Sequence, residues 1–185
     1  QLPTPGDDRA PAAGVPTAAP ADRAASQRGI ESAVSVPAQA GLRALTAADR
    51  SFDVGQFIGG ARSAYGMILE AFWKGDRETL KRLCEADVYD AFDSAITARE
   101  AAGETLDNKL VRIDGAHVSD ARVEDNVAYV SVRFEADLSA VTRDKDGNVI
   151  AGSLTDAVDT HDVWTFSRDL RSDDPNWKLS DTDEA

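Results

Sequence analysis

The segment Asp144 to Asn148 has residue types that could bind calcium, because it reads Asp-Lys-Asp-Gly-Asn. An EF-hand loop requires a glycine at its sixth position and a glutamate at its twelfth. Here the glycine is fourth, and Thr155 occupies the twelfth position. An Asp-Gly pair between two apolar runs is instead typical of a tight β-hairpin turn. We therefore predict a turn at this segment and not a metal site.

Two histidines and their acidic neighbours form a second candidate group. Asp159, His161 and Asp162 carry atoms that bind metals, but alternation along a strand places His161 and Asp162 on opposite faces. No spacing typical of zinc sites, such as C-x-x-C, supports a ligand role. We expect His117 and His161 to be surface residues, and we expect neither a metal nor a cofactor.

Asp162 is the remaining candidate for catalysis. It shares a predicted strand face with Trp164 and Phe166. A carboxylate that faces an apolar interior has a raised pKa, which suits a general base. This arrangement favours an isomerase or dehydratase as an alternative function. A buried ion pair of Asp162 with Arg62 or Arg99 is the simpler structural interpretation.

Two other motifs favour structural roles. Cys84 is the only cysteine, which excludes an intramolecular disulfide, and it follows Leu80 and Leu83 in an apolar helical row. We predict that it is a small buried hydrophobe rather than a nucleophile. The GGAR segment at residues 59 to 62 lacks the G-x-x-x-x-G-K pattern of a phosphate loop. Its small residues are predicted to allow close helix packing.

The charge is unevenly distributed along the chain. Residues 1 to 50 are balanced, so the net charge of −13 falls on residues 51 to 185. A strongly acidic domain repels phosphate groups, which argues against nucleic acid as a partner. Residues 1 to 40 are rich in Ala and Pro and predict a disordered linker, whereas residues 41 to 52 predict a short, marginal helix. We assign the folded domain to residues 53 to 185.

Three amphipathic helices are predicted to open that domain. Asp53 suits the N-cap of the first helix, whose apolar stripe ends at Gly75. Asp76 is predicted to cap a short second helix, and Asp87 a third helix that ends at Gly103.

The second half of the chain alternates as strands do. Residues 126 to 138 place apolar side chains on one face and polar ones on the other, and further strands are predicted at 108 to 123, 156 to 169 and 177 to 180. Helices followed by an antiparallel meander predict an α+β fold. We expect the helices to pack on the concave face of a curved antiparallel sheet.

Three sequence blocks occur in a characteristic order. They are ILEAFWKGD at residues 68 to 76, DVWTFSRD at 162 to 169 and PNWKL at 175 to 179. Together they resemble the C-terminal domain of the Tim44-like family over roughly Phe52 to Thr182. The family's namesake is the mitochondrial inner-membrane subunit that docks the import-motor chaperone onto the protein translocase. Bacterial proteins share the domain, and this chain resembles a bacterial member.

This resemblance implies a cone-shaped, nuclear-transport-factor-two-like (cystatin-like) fold with a large apolar pocket. It also implies association with the inner membrane, beside a translocase, a chaperone or another membrane-protein complex, and we expect the cytoplasmic face. In mitochondrial members, cardiolipin contact is attributed to the leading helices, which match residues 41 to 58 here. No apolar run is long enough to span a bilayer. The sequence leaves open a membrane anchor that precedes Gln1 in a longer protein.

We therefore expect a non-enzymatic, membrane-peripheral scaffold or adaptor. It would bind a hydrophobic peptide or lipid chain by burying apolar surface. The enzyme that uses Asp162 is the alternative, and a structural module of a larger assembly, as in the related mitochondrial ribosomal protein, is a third option. The predicted pocket residues are Tyr65, Ile68, Phe72, Phe92, Ile96, Val132, Phe134 and Trp164.

Overall fold

The computed structural model describes residues 33 to 185 as helices followed by strands. The helices are α1 (Val36–Ala48), α2 (Val54–Lys74), α3 (Arg77–Leu83) and α4 (Ala86–Ala101). The strands are β1 (Thr105–Leu106), β2 (Lys109–Glu124), β3 (Val127–Arg143), β4 (Val149–Asp169) and β5 (Lys178–Glu184). The predicted α+β class is confirmed. The linker prediction for residues 1 to 32 lies outside the described residues.

The predicted limits of α2 are confirmed by its caps. The Asp53 carboxylate accepts a hydrogen bond from the backbone N–H of Gln56 at 2.8 Å, which satisfies a donor that the helix itself leaves unpaired. Gly75 ends the helix in the left-handed conformation, with φ of 74°. The next helix, α3, begins in the same way, because Asp76 accepts from the N–H of Thr79 at 3.1 Å.

The prediction for the start of α4 is wrong by two residues. Glu85, not Asp87, is the N-cap residue, and its side chain makes no capping hydrogen bond. Asp87 lies in the first turn instead, where a negative charge still interacts favourably with the helix dipole.

The first helix, α1, begins at Val36, so it includes residues that the sequence had suggested were linker. Ser35 caps it and also pairs with the sheet. Its N–H donates to Val118 O at 2.9 Å, and the N–H of Val118 donates to Ala33 O at 2.7 Å. Ala38 and Leu45 are fully buried. Contact with β2 therefore stabilises a helix of only 13 residues, a length at which an isolated helix is marginal.

The sheet is antiparallel and is organised around β3. On one side, β3 pairs with β1 and β2, and on the other it pairs with β4, which in turn pairs with β5. Three register irregularities interrupt the pairing of β2 with β3, one of them between Ile113 and Gly115. Such bulges increase the twist and bend of a strand, which accounts for a curved, open sheet.

Alternation along β3 separates the core from the outer face, as predicted. Its apolar face is buried to 2% exposure or less from Ala128 to Ala136. The buried stripe of α2 packs against this face and contributes Phe57, Ala61, Tyr65 and Ile68. The position of α2 on the sheet then determines which of its remaining residues face outward.

A glycine at position 41 is required for α1 to lie on β2. A Cβ at Gly41 would lie 1.7 Å from the carbonyl oxygen of Ala121. We predict that Gly41→Ala displaces α1 and lowers the free energy of unfolding by about 1–3 kcal/mol, the usual range for overpacking. Urea unfolding measures the change. The control is Gly59→Ala in α2, where a Cβ meets no atom within 4 Å. It should raise stability by about 0.5–1 kcal/mol, and equal stability of the two variants would contradict the predicted contact.

Candidate functional site

The predicted pocket residues pack in or against the hydrophobic core in this structure. Tyr65 stacks on Phe134 with ring centroids 4.3 Å apart and touches Trp164 at 4.6 Å. On the neighbouring helix, Phe92 packs on Phe72 at 5.1 Å. Ile68, Ile96 and Val132 complete the predicted set, and all three are fully buried. None of the eight lines either of the two cavities described below, so ligand binding by them stays a prediction.

Asp162 is bound to Tyr65 and not to an arginine. The Tyr65 hydroxyl donates to Asp162 Oδ2 at 2.7 Å. Burial raises the pKa of the Tyr65 hydroxyl, and the acceptor carboxylate raises it further, so the hydroxyl stays protonated. The predicted arginine partners bind elsewhere. Arg62 donates to Ile113 O at 3.0 Å, and Arg99 donates to Phe72 O at 2.9 Å.

A cavity of about 900 Å³ opens beside Trp177, between α2, the end of α3 and the loop that joins β4 to β5. One wall of the cavity is a face of α2 together with its N-cap, from Asp53 to Met67. The other side is formed by Leu83 of α3, by the loop residues from Asp174 to Trp177 and by Lys178 at the start of β5. The volume is in the range of sites that bind small ligands or side chains of a partner.

Four aromatic rings form the apolar base of this cavity. Trp177 lies edge-on to Phe57, with ring centroids 4.9 Å apart, and to Phe52 at 6.0 Å. Phe57 in turn lies edge-on to Phe166 at 6.1 Å. These T-shaped contacts fix the rings relative to one another. The base is therefore an apolar surface of rings that pack against one another.

An ion pair borders the aromatic base. Arg168 of β4 binds Asp49 at the C-terminal end of α1, and its guanidinium lies 5.4 Å from the centre of the Trp177 ring. The pKa of Asp49 is lowered, mainly because Ser51 donates to its carboxylate at 2.6 Å and also because Arg168 is adjacent. The buried Nε of Arg168 has no hydrogen-bond partner within residues 33 to 185. Because this nitrogen is buried, a ligand in the cavity does not reach it.

Gly60 leaves space in the α2 wall. A Cβ at Gly59 or Gly60 would meet no atom within 4 Å, so the predicted close helix packing at GGAR is wrong at these two positions. Gly60 lines the cavity, whereas Gly59 does not. A second cavity, of about 600 Å³, lies between α1 and the start of α2, and Phe52 lines both. Asp53 also lines both, so the Phe52–Asp53 segment lies between the two cavities.

The other predicted sites have structural roles. Cys84 is buried, and burial raises its pKa to about 12, which confirms a thiol that is not poised as a nucleophile. The turn predicted at Asp144 is also confirmed, since its carboxylate accepts from the N–H groups of Asp146 and Asn148, each at 2.9 Å. Both histidines are exposed, as expected. Residues 33 to 185 contain no group of three His, Cys, Asp or Glu placed to bind a metal.

An acidic pair crosses β3 and β4 away from the cavities. Asp137 lies opposite Asp159, and its carboxylate contacts the guanidinium of Arg112 at 2.7 Å. The hydrogen bond with Asp159 raises the pKa of Asp137, and desolvation adds to this effect. The two carboxylates repel each other when both are charged, so the pair opposes folding at neutral pH.

Comparison with known proteins gives the family. The Tim44-like domain model matches residues 38 to 184, which is most of the chain. The chain belongs to the Tim44-like domain family. The described helices and curved open sheet are the α+β, nuclear-transport-factor-two-like arrangement of such domains.

Tim44 subunits are among its relatives. The chain is 25% identical over 120 residues to the mitochondrial import inner membrane translocase subunit TIM44-1 of Arabidopsis thaliana, covering 65% of this chain and 25% of that protein. It is 25% identical over 116 residues to TIM44 of Homo sapiens, covering 62% of this chain and 26% of the human protein. The chain thus spans about a quarter of the length of these Tim44 relatives.

Among solved structures, the intermembrane space region of the chloroplast protein ARC6 is similar with a TM-score of 0.49. It is 14% identical to this Tim44-like chain, and the alignment covers 69% of this chain and 95% of that one. Within residues 33 to 185, no helix is both long enough and apolar enough to cross a membrane.

The Tyr65 hydroxyl can be tested separately from its ring. We predict that Tyr65→Phe keeps the stack on Phe134 but leaves Asp162 without its donor, which lowers the free energy of unfolding by about 1–2 kcal/mol. Chemical denaturation measures the loss. Tyr129→Phe is the control, because Tyr129 lies on the outer face and its ring contact with Arg122 is retained. Equal losses in both variants would contradict a specific role for the Tyr65 bond.

The acidic pair predicts a pH dependence with a defined sign. The pKa of Asp137 is higher in the folded state than its usual value of 3.8, so the native protein binds more protons and loses stability as pH rises through that pKa. We predict that Asp159→Asn raises the melting temperature at pH 7 and has no such effect near pH 3, where Asp137 is protonated. Thermal unfolding across this range measures the difference. An equal effect at both pH values would contradict the proposed repulsion.

Proposed function

We propose that this Tim44-like domain is a non-enzymatic, membrane-peripheral adaptor in protein translocation or in an inner-membrane protein complex. It would act by binding an apolar peptide segment of a partner in the cavity beside Trp177. The observation that carries this proposal is the packed aromatic base of Phe52, Phe57, Phe166 and Trp177 in an open cavity of about 900 Å³.

The side chains that line the cavity favour a peptide with apolar side chains over an acyl chain. Removal of apolar surface from water contributes roughly 25 cal/mol per Å², so a bound apolar segment gains most where it covers the aromatic base. Asn176 and Lys178 line the cavity beside this base, and both side chains carry hydrogen-bond donors. A peptide supplies carbonyl acceptors for such donors, whereas the interior of an acyl chain does not.

The role at the membrane is proposed from the relatives. They are named as subunits of the mitochondrial import inner membrane translocase, and none is named as an enzyme. We infer peripheral association with an inner membrane, at its cytoplasmic face, through a translocase or chaperone partner. The net charge of −13 favours contact with a protein over contact with anionic lipid headgroups.

The enzymatic alternative has less support from the geometry. A general base must lie within reach of a substrate proton. Asp162 instead accepts the hydrogen bond of the buried Tyr65 and lines neither described cavity. The carboxylates that do line the cavity, Asp49, Asp53 and Asp174, each accept hydrogen bonds from neighbouring residues, which suits a structural role better than chemistry.

Filling the cavity tests the proposal directly. Leucine at position 60 enters the cavity without displacing any atom near its Cβ, so we predict that Gly60→Leu weakens binding of the fluorescent probe 1-anilinonaphthalene-8-sulfonate by about tenfold or more. Gly59→Leu is the matched control. It introduces the same side chain into the same helix, at a position that does not line the cavity. It should bind the probe with an affinity within about twofold of the unmodified protein.

Competition then identifies the kind of ligand. A short blocked peptide of Leu and Phe should displace the probe from the unmodified protein and from the Gly59→Leu variant, but not act on Gly60→Leu. Displacement by dodecanoic acid without displacement by the peptide would contradict the peptide proposal in favour of a lipid chain. Equal probe binding by both glycine variants would show that the cavity is not the binding site.

A further inference from the structure

A second surface of the domain, unrelated to the cavity, is an open edge of the sheet. β5 pairs with β4 only between Asp162 and Ser167. From Val149 to His161, β4 pairs with β3 on one side and with no described strand on the other. An unpaired strand edge presents main-chain N–H and C=O groups that a further strand can use.

The direction of the free groups follows from the last hydrogen bond of the β4–β5 pair. The N–H of Ala185 donates to His161 O at 3.0 Å, so the main chain of His161 faces the β5 side. In an antiparallel ladder, every second residue faces the same neighbour. The N–H and C=O of Asp159 therefore point to the open edge, and Val158 and Thr160 point to β3.

The two faces of this edge differ in chemistry. Val158 lies opposite Leu138 of β3, on the face that bears the core, and it is 57% exposed. Asp159 lies opposite Asp137 on the other face. A strand added at the edge would thus have one face beside an exposed apolar side chain and the other beside carboxylates. Two apolar side chains, or two side chains of opposite charge, stabilise a sheet when they face each other on neighbouring strands.

A second copy of the chain does not fit this edge well. Two copies related by a two-fold axis would bring their Asp159 carboxylates together, and each copy carries a net charge of −13. The irregular pairing between Val158 and Ser153 also interrupts the edge, which limits the length of any added strand. Both features disfavour self-association and favour a short partner of positive charge.

We propose that the β4 edge around Asp159 binds an extended peptide in which basic and apolar residues alternate. The peptide adds one strand to the sheet, antiparallel or parallel to β4, with its apolar residues beside Val158 and its basic residues beside Asp159. Main-chain hydrogen bonds supply the attachment, and the alternation supplies the selectivity. This site is independent of the cavity beside Trp177.

Two peptides of identical composition test the alternation. One is a blocked peptide of alternating Lys and Val, and the other has its Lys and Val residues in two separate blocks. We expect the alternating peptide to bind at least about fivefold more tightly, with slower hydrogen exchange at the N–H groups of Asp159 and His161. Exchange measured by NMR on the whole chain resolves these two positions.

Two substitutions separate the main-chain contribution from the charge. Asp159→Pro removes the N–H that faces the open edge and no bond of the β3 ladder, and we expect binding to weaken by about tenfold or more. Asp159→Asn keeps the N–H and removes the charge, so we expect a smaller loss that disappears at high salt. Circular dichroism and unchanged binding of the cavity probe establish that each variant is folded, so failure here is distinct from failure of the adaptor proposal.

Three results would overturn the edge proposal. The first is equal binding of both peptides, which indicates unspecific charge attraction. The second is peptide binding with exchange slowed only at other positions. The third is a dimer of the free chain, seen by sedimentation, with the Asp159 and His161 N–H groups already protected, because a second copy then occupies the edge.

Discussion

The position of α2 on the sheet depends on the contacts of one tyrosine. Tyr65 stacks on Phe134, touches Trp164 and donates its hydroxyl to Asp162, so a single side chain joins the helix to β3 and to β4. The ring contributes apolar burial, and the hydroxyl has a partner, which removes the penalty for burying a polar group. Phe57, Ala61 and Ile68 of the same helix pack in the core beside Tyr65, and Phe57 and Ala61 also line the cavity.

The cavity follows from that constraint and from two sequence features of α2. Gly60 has no side chain to fill the space beside the helix, and Phe57, one turn earlier, contributes to the aromatic base. The Arg168–Asp49 pair then joins β4 to the end of α1 and borders Trp177. Membership of the Tim44-like family is shown by the match over residues 38 to 184, and the adaptor role is our proposal from the aromatic base.

Local signals made most of the fold predictable. The Asp53 cap, the left-handed Gly75 and the alternation along β3 are each encoded within a few residues, so they can be read from the chain alone. The contacts that form the cavity are not local. Arg168 and Asp49 are 119 residues apart, and Tyr65 and Asp162 are 97 apart, so neither pairing leaves a pattern in the sequence. For the same reason, Gly60 could not be distinguished from a packing glycine.

The indole N–H signals of the tryptophans provide the most direct measurement of the central claim. Trp177 lies in the cavity base, whereas Trp164 is buried in the core at 4% exposure. Titration of the isotopically labelled chain with a short blocked apolar peptide, followed by NMR, should shift the Trp177 indole signal saturably and leave that of Trp164 in place. A shift of the Trp164 signal with no change at Trp177 would contradict the claim that the cavity beside Trp177 binds the peptide.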